Sequence, residues 1–335
     1  MKIAYRDDKR EFFVEEDNDP MPFFGARTDI ICDPEIENLS CGPDNIHNKV
    51  LIGVADAIAV PITLIFQKSY GSGEIPQVWK RANVSPLFKS GSRINVENYR
   101  PVSLTCVLCK VLASIIKDSM LKHLLDNELI SDAQHGFLLS KSCTTNLLET
   151  IDVITFALAE GFPVDAIYTD FSKAFDKIPH RRLMYKISKF GFGVKLINWI
   201  KAFLRDRIQR VVLGDSYSDW LSVLSGVPQG SVLGPILFLL YINDLFELIQ
   251  NTFKASADDT KIISVIRNFL SNLELQCDID FICKWCKDWS TQLNIPYSLV
   301  FFPDIITKNS ILCNAIFSGL YPLFCNKSSR HRTCF

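Results

Sequence analysis

The spacing of hydrophobic residues divides the chain into alternating helices and short strands. Apolar residues recur at helical spacing in four long stretches, which predict helices over residues 48–70, 106–125, 146–159 and 268–291. Shorter apolar runs predict strands at residues 84–88, 100–104 and 166–169. The chain contains no internal repeat and no low-complexity tract.

The middle of the chain continues this order after a strand that ends at Asp170. The pattern predicts helices near 183–190, over 194–204 and over 232–249, and strands at 209–213, 219–224, 251–257 and 260–265. The last two strands form a hairpin with Asp258 and Asp259 at its turn. This order is typical of a split β-α-β unit, in which helices back one face of an antiparallel sheet and leave the other face for a ligand. We therefore predict an α+β fold.

Composition excludes several classes of protein. Of the 335 residues, 48% are hydrophobic and 22% are charged, as in ordinary globular chains, which excludes disorder, collagen and coiled coils. No apolar run approaches the roughly 18 residues of a membrane span, and residues 1–13 lack the apolar core of a secretory signal. The 11 cysteines follow no framework spacing. We expect a protein of the nucleus or cytoplasm that is neither secreted nor inserted in a membrane.

The formal net charge of −1 averages unlike segments. Residues 1–40 carry 11 Asp and Glu against 5 Lys and Arg, whereas residues 171–210 carry 11 Lys and Arg against 2 acids. A basic segment of that size can bind a polyanion, although a solvated helix face is the simpler interpretation of charge alone.

Three carboxylates follow predicted strands: Asp170 at the end of one, and Asp258 and Asp259 at the tip of the hairpin. Carboxylates gathered without His or Cys suit hard cations such as Mg²⁺, and a pair of such ions can serve in-line displacement at phosphorus. Asp-Asp is also a common turn sequence, so this pair alone favours an ordinary turn.

The residues around these acids resemble the successive motifs of reverse transcriptases from non-LTR retrotransposons of the jockey or LINE-like kind. The palm motifs are YTDFSKAFDKIPH (168–180), SGVPQGSVLGPILFLLYINDL (225–245) and SADDTKI (256–262). The fingers motifs are IPQVWKRANVSPLFKSGSRINVENYRPVSL (75–104) and NELISDAQHGFLLSKSCTTNLL (127–148). The resemblance extends from about residue 42 to residue 294.

The resemblance implies a right-hand polymerase with fingers, a split β-α-β palm and an incomplete thumb. The resemblance divides the central part into fingers with an N-terminal helical region (46–145) and a palm with the catalytic motifs (146–294). Residues 1–45 are acidic and lack periodicity, so we expect a leader with little order there. Residues 295–335 show no amphipathic period and are interpreted as a degenerate C-terminal segment. The implied activity is RNA-directed DNA polymerisation from deoxynucleoside triphosphates on an RNA template and a DNA primer.

The resemblance also implies roles for individual residues. Asp170 and Asp258 would ligate two Mg²⁺ ions, with Mn²⁺ as an alternative and with Asp259 as the third acid. Phe175 would exclude the 2′-hydroxyl of a ribonucleotide. The other implied nucleotide-binding residues are Lys89, Arg100, Phe171, Gln229 and Gly230. Basic residues between Lys173 and Arg210 would hold the template or primer backbone.

Some positions depart from the family pattern. Ser256 stands where an aromatic residue is expected, Leu138 where Arg is expected, and Tyr297 near the place of an expected Lys. These departures imply reduced activity and a truncated copy of an element. The alternative is a weakly active or inactive fragment that acts as a nucleic-acid-binding or interaction module.

Cys283 and Cys286 form a CxxC pair, and Cys277 lies six residues before it. A structural zinc site usually needs a second such pair, which the sequence lacks, so we expect core cysteines and no zinc.

Overall fold

The structure is a computed structural model that describes residues 41–294 and 299–301. Most of the predicted acidic leader (1–45), Tyr297 and most of the predicted degenerate segment (295–335) lie outside the described residues. The helices are α1 (Asn48–Gly53), α2 (Ala55–Ser72), α3 (Val107–Asp126), α4 (Cys143–Ala159), α5 (His180–Ile187), α6 (Val194–Leu204), α7 (Gly234–Ile242) and α8 (Phe269–Trp289). The strands are β1 (Arg81–Phe88), β2 (Tyr99–Leu104), β3 (Val164–Asp170), β4 (Ile208–Leu213), β5 (Ser216–Tyr217), β6 (Leu221–Ser222), β7 (Thr252–Ser256), β8 (Asp259–Val265) and β9 (Leu299–Phe301).

The chain divides into two units, each built from two stretches of sequence. The first unit is Met1–Ser131 with Lys173–Asn243, and the second is Asp132–Ser172 with Asp244–Phe335. These limits differ from the predicted division between fingers (46–145) and palm (146–294), which stays a prediction. Among residues 41–294 and 299–301, no helix combines the length and apolar character that a bilayer crossing requires.

The first unit contains a sheet of five strands in which β1 pairs antiparallel with β2 and parallel with β4. Strands β5 and β6 both pair antiparallel with β4. Helix α7 lies in the core of this unit, because every residue in it except Pro235 is buried. A helix that is apolar on all sides has no face for solvent, and its sequence GPILFLLYI has no polar residue to place there.

The apolar helix is shorter than the predicted 232–249. It ends at Ile242 and continues as a 3₁₀ helix over Asn243–Leu248. The Asn243 side chain explains the change, since its Oδ1 accepts a hydrogen bond from Ser131 N at 3.0 Å and its Nδ2 donates to Leu129 O at 3.0 Å. The predicted strand at 219–224 is also reduced, to Leu221–Ser222.

The second unit contains an antiparallel sheet in the order β7-β8-β3-β9. In α4, Ala157 is buried in a cluster with Val164 of β3 and Ile263 of β8. The register pairs Val164 with Val265 and Asp170 with Asp259, so this apolar cluster lies at one end of β3 and the acids lie at the other. Helix α4 therefore packs on the apolar end of β3 and β8, where Val164 and Ile263 are buried.

Burial affects a carboxyl at the apolar end of β3. Burial raises the pKa of Asp165 from its ordinary 3.8 to about 6. Between these two pKa values the folded state binds more protons than the unfolded state, so Asp165 lowers stability as pH rises from about 4 to about 6. Above that range the ionised carboxylate stays a destabilising group.

We expect Asp165→Asn to raise the free energy of unfolding at pH 7.5 by about 1 kcal/mol, after allowing for partial solvation, because it removes a charge that burial disfavours. At pH 4 the two proteins should differ little, since Asp165 is then mostly protonated in the folded state. Urea denaturation at both pH values measures the difference, with the exposed Asp152→Asn as the control. An equal gain at both pH values would show that the charge of Asp165 is not its cause.

Candidate active site

The three predicted acids lie at one end of the antiparallel sheet of the second unit. Asp170, the last residue of β3, is paired in register with Asp259, the first residue of β8. Asp259 also pairs with Ser256 of β7, and Asp258 lies in the turn between them. Paired residues on neighbouring antiparallel strands have Cβ atoms about 4.5–5.5 Å apart and point to the same face. The register thus places Asp170 and Asp259 side by side, with Asp258 next to them in sequence.

Asn294 contacts Asp170 through both its backbone and its side chain. Asn294 N donates to Asp170 O at 2.6 Å, and its Nδ2 donates to Asp170 Oδ2 at 2.8 Å. The adjacent Leu293 forms an antiparallel bridge with Phe171. The amide of Asn294 therefore fixes the orientation of the Asp170 carboxylate. Sequence reasoning assigned Asn294 no role, because only the pairing of distant segments brings the two side chains together.

Gln134 holds the hairpin that carries Asp258 and Asp259. Its side chain is 1% exposed, and its Oε1 accepts hydrogen bonds from Gly136 N at 2.7 Å and Ala257 N at 3.0 Å. Ala257 directly precedes Asp258 and has a φ of 61°, in the left-handed region that a residue with a Cβ seldom adopts. The buried amide of Gln134 thus stabilises an unfavourable turn beside the acids.

The backbone around Gln134 extends the sheet beyond β7. Ala255 N donates to Ala133 O at 2.9 Å, and His135 N donates to Ala255 O at 2.8 Å. Gly136 lies so close to the hairpin that an added Cβ would be 2.3 Å from Ala257 N. Sequence reasoning assigned Gln134 no role, because its contact with Ala257 joins segments 123 positions apart.

A basic row lies next to the acidic end on the same face of the sheet. Lys254 of β7 is paired in register with Lys261 of β8, which is paired with Tyr168 of β3. This row is two residues along each strand from the row of the acids, a distance of about 6.6–6.8 Å. Burial and the nearby charge of Lys254 lower the pKa of Lys261. Tyr168 is 41% exposed, so this part of the face is accessible.

Lys254 and Ser256 of β7 both contact α4. Lys254 donates to Glu149, whose carboxylate also lies 3.4 Å from His135 Nε2. Ser256 Oγ is 3.4 Å from Cys143 Sγ, at the beginning of the same helix. The expected aromatic ring is therefore replaced by a small side chain that contacts a cysteine.

The predicted nucleotide-binding loop of the first unit is held by backbone contacts. Gly226 N donates to Ile178 O at 2.8 Å, and Val227 N donates to Phe175 O at 2.8 Å. An added Cβ on Gly226 would be 2.5 Å from Asp176 O, and its φ is 82°, so only glycine fits this position.

Gln229 and Gly230 follow in the same loop. Gln229 O accepts from Ser103 N of β2 at 2.8 Å, and its Nε2 lies 3.1 Å from both carboxylate oxygens of Asp176. Burial raises the pKa of Asp176, while the Gln229 amide partly offsets that rise by donating to the charged form. Gly230 is exposed and has a φ of 88°.

The other predicted residues of the first unit are accessible. Phe175 is half-buried and stacks on Phe238 of α7, with ring centroids 4.9 Å apart. Lys89 and Arg100 are both exposed. They lie at one end of the β1–β2 hairpin, since Lys89 N donates to Asn98 O at 2.9 Å and Leu87 pairs with Arg100.

Burial limits two sets of predicted ligand contacts, which stay predictions. Phe171 is 3% exposed and its ring lies 6.1 Å from that of Trp285, so its side chain is part of the core and only its backbone could contact a nucleotide. In the basic segment, Lys186 and Arg207 are buried and donate to the carbonyls of Tyr241 and Phe203. These two cations satisfy backbone groups inside the first unit and do not face a nucleic acid.

The cysteine prediction is partly right. Cys286 is 6% exposed, and burial raises the pKa of its thiol to about 11. Cys277, by contrast, is exposed, because α8 turns that position toward solvent.

The acids fit a hard divalent cation by their chemistry and register. Within the described part of the chain, no three His, Cys, Asp or Glu residues are gathered closely enough to hold a metal ion. Mg²⁺ needs only one or two carboxylates, because it keeps several waters and takes further oxygens from substrate phosphates. The paired Asp170 and Asp259 supply that number of carboxylates on one face.

Sequence comparison identifies similar proteins. Residues 88–296 match the family described as reverse transcriptase (RNA-dependent DNA polymerase). The RNA-directed DNA polymerase from the mobile element jockey of Drosophila melanogaster is 27% identical over 263 residues, which cover 76% of this chain and 29% of that protein. A probable RNA-directed DNA polymerase from transposon BS of the same species is 26% identical over 267 residues, with the same coverage. The chain thus spans about three tenths of the length of these curated relatives.

Structural comparison shows the same fold in telomerases. The apo telomerase of Candida tropicalis, truncated from its C-terminal domain, superposes with a TM-score of 0.52 and 12% sequence identity, over 76% of this chain and 56% of that one. A Candida albicans telomerase solved with a fragment of telomeric RNA gives a TM-score of 0.51 at 11% identity, over 74% of this chain and 48% of that one. The predicted α+β fold of the right-hand polymerase type is confirmed.

Close packing of Gly136 on the hairpin predicts a stability effect. Gly136→Ala should lower the free energy of unfolding by about 2 kcal/mol or more, because the new Cβ meets backbone atoms that cannot move without displacing the turn. Gly71→Ala is the control, since nothing lies within 4 Å of its Cβ position. There the change should be neutral or stabilising by up to about 1 kcal/mol, because alanine is favoured in a helix. Equal denaturation midpoints for both variants and the parent would contradict this account of Gly136.

Proposed function

The chain belongs to the reverse transcriptase family, and we propose on that basis that it is an RNA-directed DNA polymerase that adds deoxynucleotides to a DNA primer. One observation supports the catalytic part of this proposal above the others. The register of β3 on β8 sets Asp170 opposite Asp259, and Asp258 adjoins them in the hairpin turn. Three carboxylates at one end of an accessible sheet face are the oxygen donors that phosphoryl transfer requires.

We assign Asp170 and Asp258 as the ligands of two divalent cations, Mg²⁺ or Mn²⁺, with Asp259 beside them. When bound, such ions lower the pKa of the primer 3′-hydroxyl and stabilise the charge on the leaving pyrophosphate. The hydroxyl oxygen would lose its proton to water and form the new bond to the α-phosphorus, while the bond from that phosphorus to the bridging oxygen breaks and pyrophosphate leaves.

The protein's own groups hold this arrangement. The amide of Asn294 orients the carboxylate of Asp170, and the amide of Gln134 holds the turn that presents Asp258. Lys254 and Lys261 lie one row away on the same face, where positive charge favours a phosphate backbone. The primer would therefore follow this basic row toward the acids.

We assign nucleotide recognition to residues of the first unit. Lys89 and Arg100 would offset the charge of the triphosphate, Arg100 through two parallel hydrogen bonds and Lys89 as a point charge. Gln229 and Gly230 would contact the incoming nucleotide from the loop that Asp176 and Ser103 hold. Phe175 would select deoxynucleotides, since its ring would clash with a 2′-hydroxyl.

Primer extension tests the activity. With an RNA template, a DNA primer and Mg²⁺, the chain should add a single deoxynucleotide, and EDTA should stop the reaction. Asp170→Asn and Asp258→Asn should each lower the rate by about a hundredfold or more, since every 1.36 kcal/mol lost from the transition state costs about tenfold. Asp152→Asn, which changes an exposed acid of the same unit, should leave the rate unchanged.

Two outcomes would contradict the proposed activity. An Asp258→Asn chain as active as the parent would exclude the assigned acids. A chain that binds primer and template but adds nothing in Mg²⁺ or Mn²⁺ would favour a nucleic-acid-binding module without catalysis.

The proposed role of Phe175 predicts that its substitution changes the choice between deoxynucleotides and ribonucleotides. Phe175→Val should raise ribonucleotide incorporation relative to deoxynucleotide incorporation by about tenfold or more, because the ring that meets the 2′-hydroxyl is gone. Phe175→Tyr keeps the ring and should keep the selectivity. Single-nucleotide incorporation rates with each triphosphate give the ratio, and thermal melting reports any loss from the Phe238 stack. An unchanged ratio in an active Phe175→Val protein would make Phe175 a packing residue only.

A further inference from the structure

A groove lies in the second unit, at the end of its sheet that is opposite the acids. One wall is the C-terminal half of α4, the other wall is the first turns of α8, and the ends of β7 and β8 form the floor. Its volume of about 1130 Å³ exceeds the roughly 300–1,000 Å³ that is usual for small-molecule sites. The size of the groove therefore suits a stretch of polypeptide.

The floor of this groove is the open side of a small apolar cluster. Ile263 of that cluster is buried, whereas Phe162 and Val265, which pack against it, are only half-buried. On the two walls, Phe156 is 67% exposed and Leu270 is 62% exposed. Large apolar side chains that line one groove and remain exposed indicate a surface that another apolar element covers.

The rim of the groove carries acidic side chains. Glu160, directly after α4, and Glu274 of α8 both line the groove and are exposed. Arg267 also lines it, and its guanidinium carbon is 5.7 Å from the centroid of the Phe162 ring. An apolar partner with positive charge at its end therefore complements the two glutamates better than an acidic partner would.

The chain runs toward this end of the sheet when it leaves β9. Strand β9 is antiparallel to β3, so it passes from Leu299, opposite Tyr168, to Phe301, opposite Ala166, and points away from Asp170. Strands β9 and β8 lie on either side of β3, about 10 Å apart at the usual strand spacing. About four residues of extended chain cover that distance, so the residues from about 305 onward can reach the groove.

The residues that follow have the composition that the groove favours. Among residues 305–325, 13 of 21 are apolar and Lys308 alone is charged. Residues 326–335 then add three cations and no acid, namely Lys327, Arg330 and Arg332. An apolar stretch followed by positive charge matches an apolar floor that has glutamates at its rim.

We propose that residues 305–325 of this chain dock in the groove between α4 and α8, with the basic residues 326–335 next to its glutamates. Apolar side chains of the docked stretch cover Phe156 and Leu270 and close the open side of the cluster. The segment interpreted from its sequence as degenerate is then a structural part of the second unit. The docking involves no nucleotide, metal or nucleic acid, so it is independent of the proposed activity.

Photocrosslinking in the full chain tests which segment occupies the groove. With p-benzoylphenylalanine in place of Phe156, light should join the probe to a peptide from residues 305–325 of the same molecule, as mass spectrometry of the digest would show. The same probe in place of Leu147 is the control, because that position is 54% exposed and lies on the opposite side of α4, about two and a half turns earlier. The control should give no crosslink to residues 305–325.

Hydrogen exchange measures the same contact without a probe. In the full chain, Phe317→Asp should speed the exchange of the α4 amides of residues 153–160 about tenfold or more, because a large apolar side chain leaves a covered site and its support for the helix is lost. Phe317→Leu keeps an apolar side chain and should exchange like the parent. The amides of α6, in the first unit, should be unchanged in both variants.

Three results would overturn the proposal. The first is a Phe156 probe that gives no crosslink to residues 305–325 or that joins two molecules, the latter assigning the groove to a second copy of the chain. The second is equal crosslinking to that segment from both probe positions. The third is exchange at residues 153–160 that Phe317→Asp leaves unchanged. A failure of primer extension, by contrast, contradicts the proposed activity alone.

Discussion

The register of β3 on β8 is the constraint on which the candidate active site depends. Side chains alternate between faces along a strand, so a slip of one residue would send Asp170 and Asp259 to opposite faces. The apolar end of the pair fixes the register, because Val164 and Ile263 must both reach the cluster with Ala157. The hydroxyls of Thr169 and Thr260 contact each other on the other face. Packing at one end of the strands thus positions charge at the other.

Neutral amides then position the acids within that register. Asn294 and Gln134 belong to segments far apart in the sequence, yet each places a side-chain amide against the acidic end of the sheet. Carboxylates that lie close together repel one another, and an amide can orient them without adding charge. The cationic side chains Lys254 and Lys261 lie one row away from the acids, and Lys254 pairs with Glu149 of α4.

Local charge matters more in this protein than its net charge of −1. Lys186 and Arg207 lie in the most basic stretch of the chain, but both are buried against backbone carbonyls. Arg81 lies outside that stretch and Arg210 at its end, and these two flank Trp220 on an exposed sheet face. A count along the sequence therefore overestimated the exposed positive charge of residues 171–210 and did not predict that Arg81 and Arg210 lie beside the same tryptophan ring.

The sequence by itself determined the fold class, the family and the position of nearly every helix and strand. Amphipathic spacing reports local structure, which explains why α6 was predicted at its observed limits and α4 within three residues of its first one. The motifs also identified Asp170, Asp258 and Asp259 as a candidate set. Only the tertiary structure decided that Phe171 is a core residue, that α7 ends at Ile242, and that Gln134 and Asn294 support the acids. Each of these depends on a hydrogen bond or ring contact between residues more than 100 positions apart. Such contacts form only when distant segments pack together, so no local pattern in the sequence encodes them.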